Sequence, residues 1–78
     1  MNIEDIKLQL DQLYDQGQSQ KAYELLLNQL NIAMNHQDDD TVLFLLNELI
    51  GYYRVTTQFE LGNQVSLQAI RILENHQL

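Results

Sequence analysis

Apolar side chains recur along the chain in four helical stripes, separated by three polar breaks. Ile3, Ile6, Leu10 and Leu13 fall on one face of a first helix. Gln16-Gly17-Gln18-Ser19 interrupts that pattern. Gly17 reaches positive φ at no steric cost and suits a helix stop, and Ser19 suits the N-cap of the next helix. Ala22, Leu25, Leu26, Leu30 and Ala33 form the second stripe, widened by Leu27 and Ile32 and ending near Asn35-His36-Gln37. Three carboxylates follow, Asp38-Asp39-Asp40, where the free N–H groups and dipole of a helix start favour negative charge. The spacing predicts a third helix over 41–55, with Leu43, Leu46, Leu49, Ile50 and Tyr53 inward. After a break at Thr56-Thr57-Gln58, it predicts a fourth over 59–75, with Phe59, Leu61, Val65, Ala69, Ile70 and Leu73 as its apolar set. No stretch alternates with period two over the length of a strand, so the expected class is all-α.

The pattern also repeats itself. Shifted by 40 residues, Ile3 meets Leu43, Ile6 meets Leu46, Leu10 meets Ile50 and Leu13 meets Tyr53. Ala22 meets Gly62, Leu25 meets Val65, Leu30 meets Ile70, and Asn35-His36-Gln37 meets Asn75-His76-Gln77. Apolar faces apolar and small faces small across two helices and their turn, which is the mark of a repeat architecture. The expectation is one domain of two helix–turn–helix units, over about 3–37 and 43–77.

The chain has 78 residues, no Cys and no Pro, which rules out disulfides and thiolate metal sites. A domain of this size buries roughly 60–65% of the surface of its unfolded chain, so it gains most from a partner surface. Eleven acidic and four basic side chains give a net charge of −7. That field repels phosphate backbones and anionic lipid, so nucleic acid and membrane are not expected partners, and a basic or neutral protein or peptide is. No run approaches the ~18 apolar residues of a membrane span, and the lack of Cys fits a cytoplasmic location.

Residues 46–54, Leu-Asn-Glu-Leu-Ile-Gly-Tyr-Tyr-Arg, followed by Thr57-Gln58-Phe59, Gly62, Ser66 and Ala69, resemble a tetratricopeptide repeat. The match places Leu46, Leu49, Tyr53, Phe59, Gly62 and Ala69 at the positions that pack the unit, with Ala22 as the counterpart of Gly62 in the first unit. Ile50 stands where the family has a small residue, and Thr57 where it has a turn Gly. The period of 40 exceeds the usual ~34 and looks like the longer-helix variant of kinesin light chains and many bacterial proteins. The resemblance implies four helices in two antiparallel pairs, a fragment of a right-handed α-solenoid.

It also implies a non-catalytic module that holds a protein or peptide on the first helix of each unit. Carried across by position, that groove is Glu4, Lys7, Asp11 and Tyr14 in the first unit, and Phe44, Asn47, Gly51 and Arg54 in the second. Two readings fit Phe44, a groove contact or packing against the neighbouring unit. Gly51 in mid-helix has two as well, room for a ligand backbone or, more commonly, close helix packing. The basic and amide pattern that grips a C-terminal carboxylate in chaperone-binding relatives is not reproduced.

Catalytic chemistry has no visible footing. Asp38-Asp39-Asp40 lacks the alternate ligands, the Gly and the late Glu of a calcium loop. His36 and His76 fall near helix C-terminal ends, where the dipole explains them. There is no phosphate loop and no nucleophile set, and no cofactor or metal is expected. Two units are fewer than a stacked core normally needs, and the last helix has no helix after it to cover its apolar side. This leaves three further expectations: a longer repeat array, self-association as a structural oligomerisation domain such as a homodimer, or the sensory piece of a bacterial regulator.

Overall fold

The computed structural model describes residues 1–75; His76, Gln77 and Leu78, which belong to the expected second unit, lie outside the described residues. The fold is all-α. Helix α1 spans Ile3–Asp15, α2 Ser19–Asn35, α3 Asp39–Val55 and α4 Phe59–Asn75. Three-residue turns join them, so consecutive helices run antiparallel. α2 packs on α1 and on α3, and α4 packs on α3. α3 also meets α1 through side chains, with the Lys7 ammonium 5.7 Å from the centre of the Phe44 ring. The result is a slab of 42 × 28 × 16 Å.

The three turns are built alike. In each, the middle residue takes positive φ: Gly17 at 70°, Gln37 at 55° and Thr57 at 58°. In each, the next amide reaches back five residues, Gln18 to the Leu13 carbonyl, Asp38 to Ala33 and Gln58 to Tyr53, at 2.8–3.0 Å. This is the Schellman closure, which satisfies the carbonyls that a helix end leaves free. The backbone therefore repeats every 20 residues, although the side-chain pattern repeats every 40. The sequence marks only the first turn with Gly, and the other two adopt the same geometry with residues that resist it.

Two helix starts differ from expectation. The N-cap of α2 is Gln18 rather than Ser19, and no side chain caps it, because the closed turn ends one residue early. α3 begins at Asp39, with Asp38 as its N-cap. Asp38 accepts from the Thr41 amide at 3.4 Å and from the Thr41 hydroxyl at 2.6 Å. Asp38 thus satisfies a helix terminus.

The core is Ile6 and Leu10 from α1, Ala22, Leu26 and Ala33 from α2, and Val42, Leu45, Leu46, Leu49 and Tyr53 from α3. α3 supplies half of it because helices surround it. That position also explains a shift of its buried face. Val42 and Leu45, absent from the expected stripe, are fully or nearly fully buried, while Leu43 and Ile50 are only half-buried. Ala22 is buried, and a Cβ on Gly62 would stand 3.6 Å from the Tyr53 Cβ, so both small residues sit at helix contacts.

α4 has no buried residue. Val65, Ala69 and Ile72 pack against the core, but Leu61, Ile70 and Leu73 are exposed. Phe59, expected to fill space beside the helix crossing, is 64% exposed. Tyr53 already occupies the space beside Gly62.

Thr is β-branched and resists the left-handed region, at a cost of about 1–2 kcal/mol. Thr57→Gly relieves that strain against a smaller entropic loss, so chemical denaturation should show a gain of about 1 kcal/mol. An unchanged or lower midpoint would show that the Thr57 hydroxyl bonds outweigh the backbone strain.

Candidate binding cleft

The last turns of α1 and α3 and the start of α2 enclose an open cleft of about 440 Å³, lined by Tyr14, Ser19, Glu48, Gly51, Tyr52, Val55 and Thr56. Its lining is mostly apolar. Tyr14 reaches it from α1, while α3 supplies Glu48, Gly51, Tyr52 and Val55 at helical spacings of one face. Val55 is 82% exposed, so this wall is open to solvent.

Tyr52 is held by an aromatic cluster. Tyr23 from α2 stacks on it at 4.4 Å between ring centres, with the planes 4° apart. Tyr53 meets both rings edge-on at 5.7 Å. The hydroxyls of Tyr23 and Tyr53 are 2.8 Å apart, and either can donate. Such pairs contribute about 0.5–1.5 kcal/mol beyond the area they bury, so the cleft has a stiff back wall. The hydrophobic pattern of the sequence does not single out Tyr23. Its position between Ala22 and Glu24 carries no mark of its role, since its partners are 29 and 30 residues away.

Burial raises the Tyr14 phenol above the ordinary value of 10.0, and the neighbouring Glu48 carboxylate and Tyr52 add to the rise. Tyr53 is pushed up to about 12, first by burial, then by its hydrogen bond to Tyr23 and by the nearby Tyr23 and Tyr52 phenols. The folded state therefore favours the neutral phenol.

The eight groove positions line different hollows and faces of α1 and α3. Tyr14 and Gly51 meet in the cleft. Lys7 is exposed and lies over Phe44, which is half-buried against the core, so Phe44 packs against the neighbouring helix. Arg54 lines a separate hollow of about 170 Å³ with Ile50, Gln58, Phe59, Gly62, Asn63 and Ser66, between α3 and α4. Glu4 borders a shallow depression with Met1, Asn2, Ile3, Asp38, Asp40 and Thr41. Asp11 and Asn47 are exposed. Of the packing set, Leu46, Leu49 and Tyr53 are buried and Ala69 packs against the core.

Gly51 is the informative position. A Cβ there would meet nothing within 4 Å, which overturns close helix packing as its reason. It is exposed in mid-helix, where Gly costs roughly 1 kcal/mol relative to Ala. No internal contact requires it.

No family model, curated protein or solved structure matches this chain. Among the described residues, no helix is long and apolar enough to cross a membrane.

Because the folded phenol of Tyr53 ionises above its unfolded value, its contribution to stability is intact below pH 10 and is lost as pH rises from 10 towards 12. Urea midpoints should fall across that window and fall less in Tyr53→Phe. Equal alkaline losses in both proteins would contradict the assignment.

Proposed function

We propose that this chain is a non-catalytic binding module of tetratricopeptide-repeat type, holding a protein segment in the cleft between α1 and α3. One observation carries the reading. Gly51 leaves bare backbone in the wall of a mostly apolar cleft, at a cost in helix stability that no neighbour explains. Space beside a backbone lets a ligand chain approach closely. Tyr14, Tyr52 and Val55 offer an apolar anchor point, and rigid aromatic rings give contact area at low entropic cost. Glu48 at the cleft and the net charge of −7 favour a segment that carries an apolar side chain beside a basic one.

The exposed apolar row on α4 favours a second activity, self-association.

Two substitutions at one position separate binding from folding. Gly51→Ala should raise stability by about 1 kcal/mol, and Gly51→Leu should fill the cleft without unfolding the chain. Peptides selected from a random displayed library against this protein supply the probe. Fluorescence polarisation should show affinity at least tenfold weaker for Gly51→Leu, and weaker for Glu48→Gln when the peptide is basic. Selected peptides that bind Gly51→Leu and Tyr52→Ala as well as the parent would remove the cleft from consideration.

A further inference from the structure

The cleft between α1 and α3 holds a carboxylate and no cation. Glu48 is half-buried there, and no lining residue is basic. The basic side chains of the protein sit elsewhere. Lys7 lies over Phe44, Arg54 lines the hollow with Phe59, Arg71 lines another with Met34 and Ile72, and Lys21 is exposed on α2. Among the described residues, Glu48 has no hydrogen bond and no ion pair. A carboxylate drawn partly out of water without a partner is unfavourable, and an apolar side chain entering beside it would deepen that cost. A cation would offset it with charge-assisted hydrogen bonds.

Two phenols share the site with this carboxylate. Glu48 and Tyr52 are four residues apart on α3 and stand on one face of it, with Gly51 beside them. Tyr14 joins them from α1. Its phenol is raised above 10.0 by burial first, then by the Glu48 carboxylate and by Tyr52, so it lies within electrostatic reach of both. Tyr23 covers one face of the Tyr52 ring, and Tyr52 rather than Tyr23 lines the cleft. Aromatic faces attract cations, more strongly as water is excluded. The open space at Gly51 lets a ligand come close to the carboxylate and the ring together.

The helix ends add to the same field. α1 and α3 run parallel, and both finish at the cleft, one through Tyr14 and the other through Val55 and Thr56. Two negative dipole ends therefore meet one positive end, that of α2 at Ser19. The net charge of −7 has the same sign.

Two cations occur on protein side chains, and the cleft suits one of them better. The ammonium of Lys is a compact, strongly hydrated point charge. The guanidinium of Arg is planar, stacks on an aromatic ring and donates to a carboxylate through a fork of parallel N–H bonds. Its stem also covers apolar surface while its head stays paired, and Val55 with the two tyrosines supplies that surface.

We infer that the cleft is an arginine pocket, in which the bound segment inserts an arginine side chain with its guanidinium paired to Glu48 and stacked on Tyr52, and its stem along Val55. It rests on the binding role proposed for the cleft and names the side chain that enters.

N-acetyl-arginine methylamide is the probe. Its neutral isostere, the citrulline compound, and the lysine and leucine compounds separate charge, shape and apolar contact. In an NMR titration, the arginine compound should shift the Gly51 amide and the Tyr14 and Tyr52 ring signals saturably. It should bind at least fivefold more tightly than the citrulline compound and at least twofold more tightly than the lysine compound. Glu48→Gln should weaken it at least fivefold. Glu74→Gln makes the same charge change at an exposed position on α4 and should leave it unaltered. A leucine compound that binds as tightly, equal arginine affinity in the parent and Glu48→Gln, or no saturable shift at Gly51 would overturn the arginine pocket. The cleft would still stand if Gly51→Leu weakened the selected peptides. Peptides that bind Gly51→Leu undiminished would remove the cleft and the arginine pocket together.

Discussion

Helix α3 is enclosed by α1, α2 and α4, and the rest of the structure follows from that enclosure. Its side chains at Val42, Leu45, Leu46, Leu49 and Tyr53 are the surface on which the other helices rest. α1 contributes two buried residues, α2 three and α4 none, so no other helix could hold the slab together. Truncating a buried Leu of this kind typically costs 2–5 kcal/mol, a large share of what a domain this small possesses. The cleft and the α4 surface are both consequences. The cleft lies between the C-terminal parts of α1 and α3, and the α4 row lies on a helix that packs mainly on α3.

The turns set this geometry. Three closures of one design fix the spacing between helices, and each helix after the first has 17 residues. Only Gly17 adopts the left-handed conformation freely, while Gln37 and Thr57 are held there by the packing on either side. Local preference yields to tertiary contact at these two positions.

Much of the architecture was legible in the sequence. A period of 3.6 with breaks at Gly17, Gln37 and Thr57 placed four helices, and the offset of 40 paired Ala22 with Gly62 at the helix contacts. The buried face of α3 was less legible, because a helix with apolar residues on most sides has no single stripe to read. Leu43 and Ile50 looked as inward as Leu46, and only the placement of the neighbouring helices separates them. Phe59 looked internal for the converse reason, since hydropathy cannot tell a covered ring from one awaiting cover. At the site, the helical face of Tyr14 and Gly51 was visible, but the stacking of Tyr23 on Tyr52 joins residues far apart in sequence and needed coordinates. At Gly51 the sequence leaves ligand room and close packing both open, because open space beside a glycine is a property of the fold.

The claim that α3 is the organising helix is tested most directly by native-state hydrogen exchange, resolved amide by amide. Amides of Leu45, Leu46 and Leu49 should exchange only through global unfolding, and those of α1 and of α4 away from α3 should exchange through smaller local openings. Equal protection in all four helices, or slower exchange in α1 than in α3, would contradict it.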